Sequence, residues 1–294
     1  EPISDPVCVP IFYVSKLAKE NNVKVCQVGE GADELFFGYT NWLRTSKINL
    51  LINNILFPKF LKKLILYFYK KFDIQYKYTS DLLKRSVEKK PIFWGGAEAF
   101  SSFEKNELFS DSFKNKIKNL DSWNCIKPHY EFFNKNAKYK SIENWMTYLD
   151  LKIRLPELIL MRVDKMTMAN SLEARVPFLD HNLVQKTIDL PKNIKIKKNN
   201  LKFLLKDIIK GLLPNEIVNR KKQGFGLPLK DWFQDGLGIN EKEIINEFVD
   251  RTEFFKKQTI QKLIDRKGDT RLWFILNLAI WWKVFIRNTK LKIS

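Results

Sequence analysis

The chain contains few of the residues that build metal sites or disulfide frameworks. Among its 294 residues are three cysteines, Cys8, Cys26 and Cys125, and two histidines, His129 and His181. Three unevenly spaced cysteines exclude a disulfide framework or a cysteine-based zinc site, and they favour a reducing compartment such as the cytoplasm. The histidines lie far apart in the sequence and match neither a metal-binding nor a triad pattern, so we interpret both as structural.

The chain also has no apolar run long enough to cross a bilayer. The longest run, 272–286, is interrupted by Asn277 and Lys283. It is shorter than the roughly 20 residues that a membrane span needs. We interpret it as a buried core helix and expect no membrane partner.

Acidic residues are scarce relative to basic ones. There are 52 Lys and Arg residues against 33 Asp and Glu, which leaves a net charge of +19 and a sequence pI of about 9.6. A polyanionic partner is one explanation of this excess, and a non-catalytic basic binding protein is therefore one alternative. Because the lysines are spread along the chain without a nucleic-acid-binding motif, we interpret them as solvated surface and expect no nucleic-acid partner.

The order of elements at the start of the chain is typical of an α/β fold. The stretch "DPVCVPIFYVSKLAKENN" predicts a helix with Asp5 as N-cap and Pro6 at its first position. "VKVCQVG" predicts a short buried strand, and "DELFFGYTNW" predicts a helix with an acidic first turn. This order favours an open parallel sheet with helices on both faces. Ligands then bind beyond the carboxyl ends of the strands, where Gly29-Glu30-Gly31 lies.

The rest of the chain is predicted to be mainly helical. Region 46–144 is aromatic and rich in lysine, and we interpret it as peripheral helices. Apolar residues at positions 60, 61, 64, 65 and 68 have helical period and predict a core-facing helix, with a membrane-surface helix as the alternative. Later helices are interrupted at Pro177 and end near Gly211 and Pro214. No internal repeat or domain boundary is evident.

Three carboxylates, Glu30, Asp33 and Glu34, gather within five positions of this basic chain. The flanking glycines allow the backbone to approach a ligand closely. Glu30 and Asp33 could bind Mg²⁺ or transfer a proton. The alternative is a helix N-terminus with solvated acids.

Two other stretches contain charged residues that could take part in catalysis or bind phosphate. Arg162, Asp164, Lys165, Glu173 and Arg175 stand in a helix and the turn after it, and Arg162 and Lys165 share a face because they are three positions apart. A structural salt-bridge cluster is the alternative interpretation.

A basic glycine loop leads into the helix predicted near residue 230. Arg220, Lys221 and Lys222 immediately precede Gly224 and Gly226. Cations beside flexible glycines suit phosphate binding and the stabilisation of developing negative charge. A solvated surface loop is the alternative.

Four blocks of the sequence, in this order, resemble the synthetase domain of the glutamine-hydrolysing asparagine synthetases. The resemblance extends from Glu1 to about Phe233, whereas the middle region and the C-terminal tail contribute little to it. The four blocks are "EPISDPVCVP", "VGEGADELFFGY", "LILMRVDKMTMANSLEARVPFLDHNLV" and "NRKKQGFGLPLKDWF".

The resemblance implies an adenine-nucleotide-binding ATP pyrophosphatase (HUP-like) fold, with 1–294 as a partial synthetase domain and 46–144 as a helical region within it. It implies that Mg-ATP adenylates the side-chain carboxylate of aspartate and releases pyrophosphate. Ammonia then attacks the acyl-adenylate, and AMP leaves. The ammonia comes from glutamine hydrolysed in a separate N-terminal glutaminase domain. Amidation of a sugar uronate is the alternative within the same chemistry.

The same resemblance implies roles for the charged residues. Lys222 matches the lysine that contacts phosphate during adenylation, and Arg162 and Arg175 match basic positions of the active-site wall. Glu30 matches the glutamate that accepts a proton when ammonia attacks. Glu173 is assigned to substrate orientation.

The resemblance also implies a nucleotide site near the first strand. Val28 and Gly29 match the pair that lines the nucleotide, together with Glu30, and Asp33 is assigned to Mg²⁺. Val28 stands where many family members carry Ser, which removes one polar contact.

Two motifs of the family do not occur in the chain. One is the Ser-Gly-Gly-x-Asp-Ser loop that holds pyrophosphate, and the other is the N-terminal cysteine of the glutaminase domain. Since the chain begins with Glu1 and not with Met, we expect a C-terminal piece of a longer enzyme, without its first strand and loop.

Overall fold

The computed structural model describes residues 1–53, 58–71, 77–197, 199–220, 224, 226–237, 239–266 and 269–289. Two compact units divide the chain. The sheet unit comprises Ile11–Glu98 and Ser122–Gly224, and the helical unit comprises Glu1–Pro10, Ala99–Asp121 and Phe225–Ser294.

The described residues form a helix-rich α/β chain with one small sheet. The elements of the first half are α1 (Cys8–Glu20), β1 (Val25–Gln27), α2 (Ala32–Phe36), α3 (Thr40–Ile52), α4 (Lys59–Lys71), α5 (Lys77–Val87), α6 (Ser102–Leu108), α7 (Asp111–Lys116), α8 (Trp123–Asn136) and α9 (Ile142–Lys152). Those of the second half are α10 (Met161–Met168), β2 (Glu173–Arg175), α11 (His181–Ile188), α12 (Lys192–Lys195), α13 (Phe203–Ile208), α14 (Asn215–Val218), α15 (Leu229–Asp235), α16 (Glu241–Thr252), α17 (Lys257–Asp265) and α18 (Thr270–Trp281). A π-helix, Leu155–Leu160, leads into α10, and another, Trp282–Ile286, follows α18.

The sheet consists of β1 and β2, which pair in parallel with Cys26 opposite Ala174. The sequence predicted β1 and its parallel pairing, but it did not predict β2, which falls in the stretch interpreted as a break before Pro177. The prediction of a buried strand is wrong, because Val25 is 41% exposed. Within the described residues β1 has one neighbouring strand, so little covers its side chains.

Helix α1 begins two residues later than predicted. The Asp5 carboxylate accepts a hydrogen bond from the backbone N–H of Val7 at 3.0 Å, and the carbonyl of Asp5 accepts one from Cys8. Pro6 and Val7 therefore form a turn that Asp5 stabilises, and the regular helix starts at Cys8.

Helix α4 forms as predicted, but most of the face it packs differs from the one predicted. Ile65, Leu66 and Tyr69 pack against a cluster around Ile52. Ile65 is therefore a core position as predicted, whereas the predicted positions Phe60, Leu64 and Phe68 are exposed. Apolar residues nearly encircle this helix, so the sequence pattern alone does not select the face that meets a neighbour.

The core of the sheet unit is built around two buried indole rings. Trp42 packs edge-on against Phe37 and Phe93. Trp145 donates a hydrogen bond from its indole N–H to the Phe93 carbonyl at 2.9 Å. These contacts join α3 and α9 to the loop after α5.

A buried ion-pair network fixes the end of α5. The Arg85 guanidinium contacts the Glu98 carboxylate at 2.5 Å and the buried Asp81 carboxylate at 3.5 Å. It also donates to the Ile92 carbonyl at 2.8 Å and lies 4.0 Å from the centre of the Trp94 ring. A buried charge needs this degree of pairing to be tolerated.

The helical unit has its own core, made by α6 and α15–α18. Ile245, Phe248 and Leu276 lie at its centre. The apolar run 272–286 forms α18 and the π-helix after it, as predicted, and Leu272, Ile275, Leu276 and Ala279 are buried. No described helix combines the length and apolar composition required to cross a membrane.

Candidate functional site

The acidic stretch lies at the end of β1, where the chain turns into α2. Gly31 is the N-cap of α2 and has a φ of 91°, in the left-handed region that L side chains rarely adopt. A Cβ at Gly31 would also lie 2.4 Å from a methyl carbon of Leu179. Glycine is therefore required here by backbone conformation and by the close approach of the turn after β2.

Glu30 faces Arg162 of α10. The Arg162 Nη2 lies 3.3 Å from the Glu30 Oε1, although the two residues are 132 positions apart in sequence. Both side chains are partly buried, at 27% exposure for Glu30 and 13% for Arg162. Burial raises the pKa of the Glu30 carboxyl, and the charge of Arg162 opposes this rise. Glu30 is thereby a carboxylate with more affinity for a proton than a solvated glutamate.

Asp33, three positions after Glu30, forms an ion pair with a different cation. Its Oδ1 lies 3.0 Å from the Nζ of Lys202, the residue before α13. Gly38 makes room for this pair, because a Cβ there would lie 1.8 Å from the Asp33 Oδ1 and 2.3 Å from the Lys202 Cε. No sequence pattern singles out Lys202, since its distance from Asp33 is set by tertiary folding.

Strand β2 brings the charged residues Glu173 and Arg175 beside the end of β1. The backbone N–H of Val28 donates to the Arg175 carbonyl at 2.8 Å and extends the pairing of β1 with β2. Arg175 and Glu173 alternate with Ala174 on the strand, and the Arg175 Nε lies 2.7 Å from the Glu173 Oε1. Both side chains are exposed, so this pair stands at the surface beside Val28.

Behind the acidic stretch lies a buried polar network that the sequence analysis missed. The Tyr39 hydroxyl donates to the buried Glu34 carboxylate at 2.5 Å. The Arg154 guanidinium lies 4.5 Å from the centre of the Tyr39 ring and donates to Asp150 at 3.2 Å. The other Asp150 oxygen accepts from the backbone N–H of Gly96 at 2.9 Å.

Burial is the main cause of two pKa shifts in this network. It raises the pKa of the Asp150 carboxyl to about 6, against the opposing effect of Arg154. Burial also raises the pKa of the Tyr39 hydroxyl, with a further contribution from the Glu34 charge. Tyr39 therefore stays protonated and donates its hydrogen to Glu34 at neutral pH. The spacing of four between Asp150 and Arg154 was the one signal in the sequence that could have indicated this pair.

Two of the charged candidates on α10 lie apart from these contacts. Asp164 and Lys165 are exposed, whereas Arg162 on the same helix is partly buried against Glu30. Lys222 and its neighbour Lys221 lie outside the described residues, so the role assigned to Lys222 stays a prediction.

The described residues contain no group of three or more His, Cys, Asp or Glu side chains able to hold a metal ion. Glu30, Asp33 and Glu34 each contact a separate protein partner, which are Arg162, Lys202 and Tyr39. The carboxylates of the acidic stretch alone therefore do not fit a metal site made only of protein ligands. The assignment of Asp33 to Mg²⁺ stays a prediction.

Comparison with known proteins identifies the family. The sequence model of the family described as Asparagine synthase matches residues 1–283. The chain belongs to the asparagine synthase family. The match includes all four blocks of the sequence and both strands of the sheet.

The asparagine synthase relatives include proteins from bacteria and animals. Asparagine synthetase [glutamine-hydrolyzing] 1 of Bacillus subtilis (strain 168) is 31% identical over 293 residues, which cover 98% of this chain and 44% of the relative. A putative asparagine synthetase [glutamine-hydrolyzing] of Mycobacterium tuberculosis (strain ATCC 25618 / H37Rv) is 28% identical over 298 residues, with coverage of 98% and 43%. The Mus musculus asparagine synthetase [glutamine-hydrolyzing] is 43% identical over 99 residues, which cover 33% of this chain and 17% of that protein. The chain thus spans less than half the length of the first two relatives.

Proposed function

We propose that the polypeptide containing this chain is a ligase that amidates a carboxylate at the expense of ATP, with aspartate as the acceptor and asparagine as the product. The observation that carries this proposal is the Glu30–Arg162 pair at the end of β1. A partly buried carboxylate with a raised pKa, held by a guanidinium, suits proton transfer next to a phosphate-bearing substrate. Membership of the asparagine synthase family supports the same reaction.

The reaction has two steps. An oxygen of the acceptor carboxylate attacks the α-phosphorus of ATP and forms an acyl-adenylate, and pyrophosphate leaves. Ammonia then attacks the acyl carbon, the bond to the adenylate oxygen breaks, and AMP leaves. The attacking nitrogen must lose a proton, and we assign the Glu30 carboxylate to accept it.

The cations are assigned to the phosphates. Adenylation places negative charge on the leaving pyrophosphate, which positively charged side chains stabilise. Arg162 next to Glu30, Arg175 on β2 and the predicted phosphate contact Lys222 are assigned to this task. Mg²⁺ would enter with ATP, bound mainly by phosphate oxygens, which agrees with the lack of a carboxylate cluster in the described residues.

The nucleotide is assigned to the carboxyl end of β1. Parallel α/β sheets bind ligands beyond the carboxyl ends of their strands. Val28 and Gly29 occupy that position, and Gly29 is exposed with open space around its Cα. The short parallel sheet is consistent with an ATP pyrophosphatase fold of the HUP type, which we propose for the parent protein. Glu173, paired with Arg175, is assigned to substrate orientation.

We further propose that the parent polypeptide obtains ammonia from glutamine in an N-terminal glutaminase domain. The names of the curated relatives, which are glutamine-hydrolysing synthetases about twice as long as this chain, support this part of the proposal.

The test uses the full-length polypeptide and the variant Glu30→Gln. With ATP, aspartate and ammonia, the unmodified enzyme is expected to release pyrophosphate and form asparagine. Glu30→Gln should lower asparagine formation about 100-fold or more, because general-base catalysis contributes 10²–10⁴-fold. Glu131→Gln, at an exposed position of α8, is the matched control and should retain full activity.

Two results would refute the proposal. If Glu30→Gln formed asparagine at the rate of the unmodified enzyme, Glu30 would not be the proton acceptor. Absence of asparagine in the unmodified enzyme, with amidation of a sugar uronate instead, would show that the acceptor is wrong while leaving the ligase chemistry intact.

A further inference from the structure

A polar cavity lies in the sheet unit, between the end of α5 and the start of α9. Its volume is about 380 Å³, within the range of pockets that bind small molecules. Its walls come from α3, α8, α9 and the turn after α5, and none of the residues assigned to amidation lines it.

The cavity is positively charged. Lys89, Lys90 and Lys140 line it, and no Asp or Glu is among the described residues that form its walls. The Lys90 Nζ lies 2.7 Å from the Glu88 Oε2 and forms an ion pair with it. Lys89 and Lys140 are exposed and have no ion pair among the contacts found in the described parts of the chain. At least two cations are therefore available to an anionic ligand.

Hydrogen-bonding groups in one wall are fixed in place. The buried ammonium of Lys62 donates to the Ser86 hydroxyl at 2.9 Å. The Ser86 oxygen lies 3.4 Å from the Asn53 Oδ1, and the Asn53 amide donates to the Asn49 Oδ1 at 2.9 Å. Ser86, Asn53 and Asn49 all line the cavity. These contacts order part of the wall, which lowers the cost of arranging it around a polar ligand.

The opposite wall is aromatic. Tyr130, Phe133 and Trp145 line it, and the Tyr130 and Trp145 rings meet edge to face at 5.2 Å. An apolar surface facing a cationic rim suits a ligand that carries both a carbon skeleton and a charge.

We propose that this cavity binds a small phosphate-bearing anion, either inorganic phosphate or a phosphomonoester. Lysine ammonium groups and neutral amide and hydroxyl donors, without competing carboxylates, match phosphate oxygens. The site is separate from the proposed amidation and does not depend on it.

The test is isothermal titration calorimetry of the full-length polypeptide with three probes: inorganic phosphate, glucose 6-phosphate and glucose. Binding of either phosphate compound, without binding of glucose, is expected, and the tighter of the two identifies the source of the phosphate. Lys89→Gln/Lys140→Gln should weaken this binding roughly tenfold or more, because two cations near the ligand are lost.

The matched control is Lys152→Gln/Lys186→Gln, which removes the same charge from exposed positions of α9 and α11 and should bind as the unmodified protein does. A second cavity variant, Asn134→Asp, places a negative charge in the wall and should also weaken binding. Near-ultraviolet circular dichroism checks that each variant is folded.

Three results would overturn the proposal. One is the absence of phosphate binding, and another is equal weakening by the control pair, which would indicate an effect of net charge alone. The third is unchanged binding in Lys89→Gln/Lys140→Gln, which would locate the phosphate at another site.

Discussion

At the scale of single residues, the three acids of one short stretch have different environments. Glu30 faces Arg162, Asp33 faces Lys202, and Glu34 is buried and accepts from the Tyr39 hydroxyl. Burial raises the pKa of the Glu30 carboxyl. Proximity in sequence therefore does not mean a shared role. Glu30 is the candidate for proton transfer, whereas Glu34 contributes to the buried network that supports the loop.

The predicted phosphate contact, Lys222, can be tested separately from Glu30. In the full-length polypeptide, Lys222→Ala should abolish pyrophosphate release while glutamine hydrolysis persists, because the phosphates lose a cation that opposes their developing charge. Pyrophosphate and glutamate formed by the same enzyme preparation are the two measurements.

The matched control for this prediction is Lys186→Ala, at an exposed position of α11. It should release pyrophosphate at the rate of the unmodified enzyme. Normal pyrophosphate release by Lys222→Ala would refute the role given to Lys222.

At the scale of elements, the site is produced by pairing β1 with β2. The register places Gln27 opposite Arg175, and the Val28 N–H continues the ladder to the Arg175 carbonyl. Two stretches nearly 150 positions apart in sequence thus share one sheet edge. Helix α10, which ends shortly before β2, then places Arg162 against Glu30.

Gly38 should be essential for the contact between α2 and the start of α13. In Gly38→Ala the added methyl group would overlap the Asp33 carboxylate and the Lys202 stem. The Asp33 and Lys202 side chains should turn away from the methyl group and lose their ion pair, so the free energy of unfolding should fall by about 1 kcal/mol. Urea unfolding followed by tryptophan fluorescence measures the change.

Gly224→Ala is the matched control, because a Cβ at Gly224 meets nothing within 4 Å. Its free energy of unfolding should stay within about 0.5 kcal/mol of the parent value. Equal stability of Gly38→Ala and the parent would contradict the close approach on which this prediction depends.

At the scale of the whole molecule, the chain has two compact units, each with its own apolar core. The sequence showed no boundary between them, because the helical unit is assembled from three separate segments. No linker-like composition marks the points where the chain passes from one unit to the other. The treatment of 1–294 as one partial synthetase domain stays a prediction.

Asp150 should make the stability of the protein depend on pH. Burial raises the pKa of its carboxyl from 3.8 to about 6, so the folded protein holds this proton more tightly than the unfolded chain. The tighter binding of this proton stabilises the folded state. Its contribution to the free energy of unfolding is complete below pH 3.8 and is lost as the pH rises through about 6. Relative to Asp150→Asn, the unmodified protein should lose free energy of unfolding between about pH 4 and about pH 6, the interval bounded by the unfolded and folded pKa values.

Urea unfolding at several pH values in this window measures the difference between the two proteins. Asp164→Asn, at an exposed position of α10, is the control and should follow the unmodified protein at every pH. Parallel curves for Asp150→Asn and the unmodified protein would show that the Asp150 pKa is not displaced.

The sequence by itself determined the local elements and the kinds of residue at the site. Apolar residues at helical spacing predicted α1 and α4, and the length of the apolar run 272–286 predicted α18. The Gly-x-Gly after an apolar run predicted a strand followed by a turn, and the four blocks predicted the family. These features depend on residues that are close together in the sequence, so a single amino-acid sequence is enough to predict them.

Only the tertiary structure decided which charges meet. Arg162, Lys202 and Arg154 come from elements far in sequence from the residues they meet. Their distances to Glu30, Asp33 and Tyr39, respectively, follow from packing. The packed face of α4 and the existence of β2 were decided in the same way. A three-residue strand has no periodicity of its own, and it exists because β1 offers it backbone hydrogen bonds.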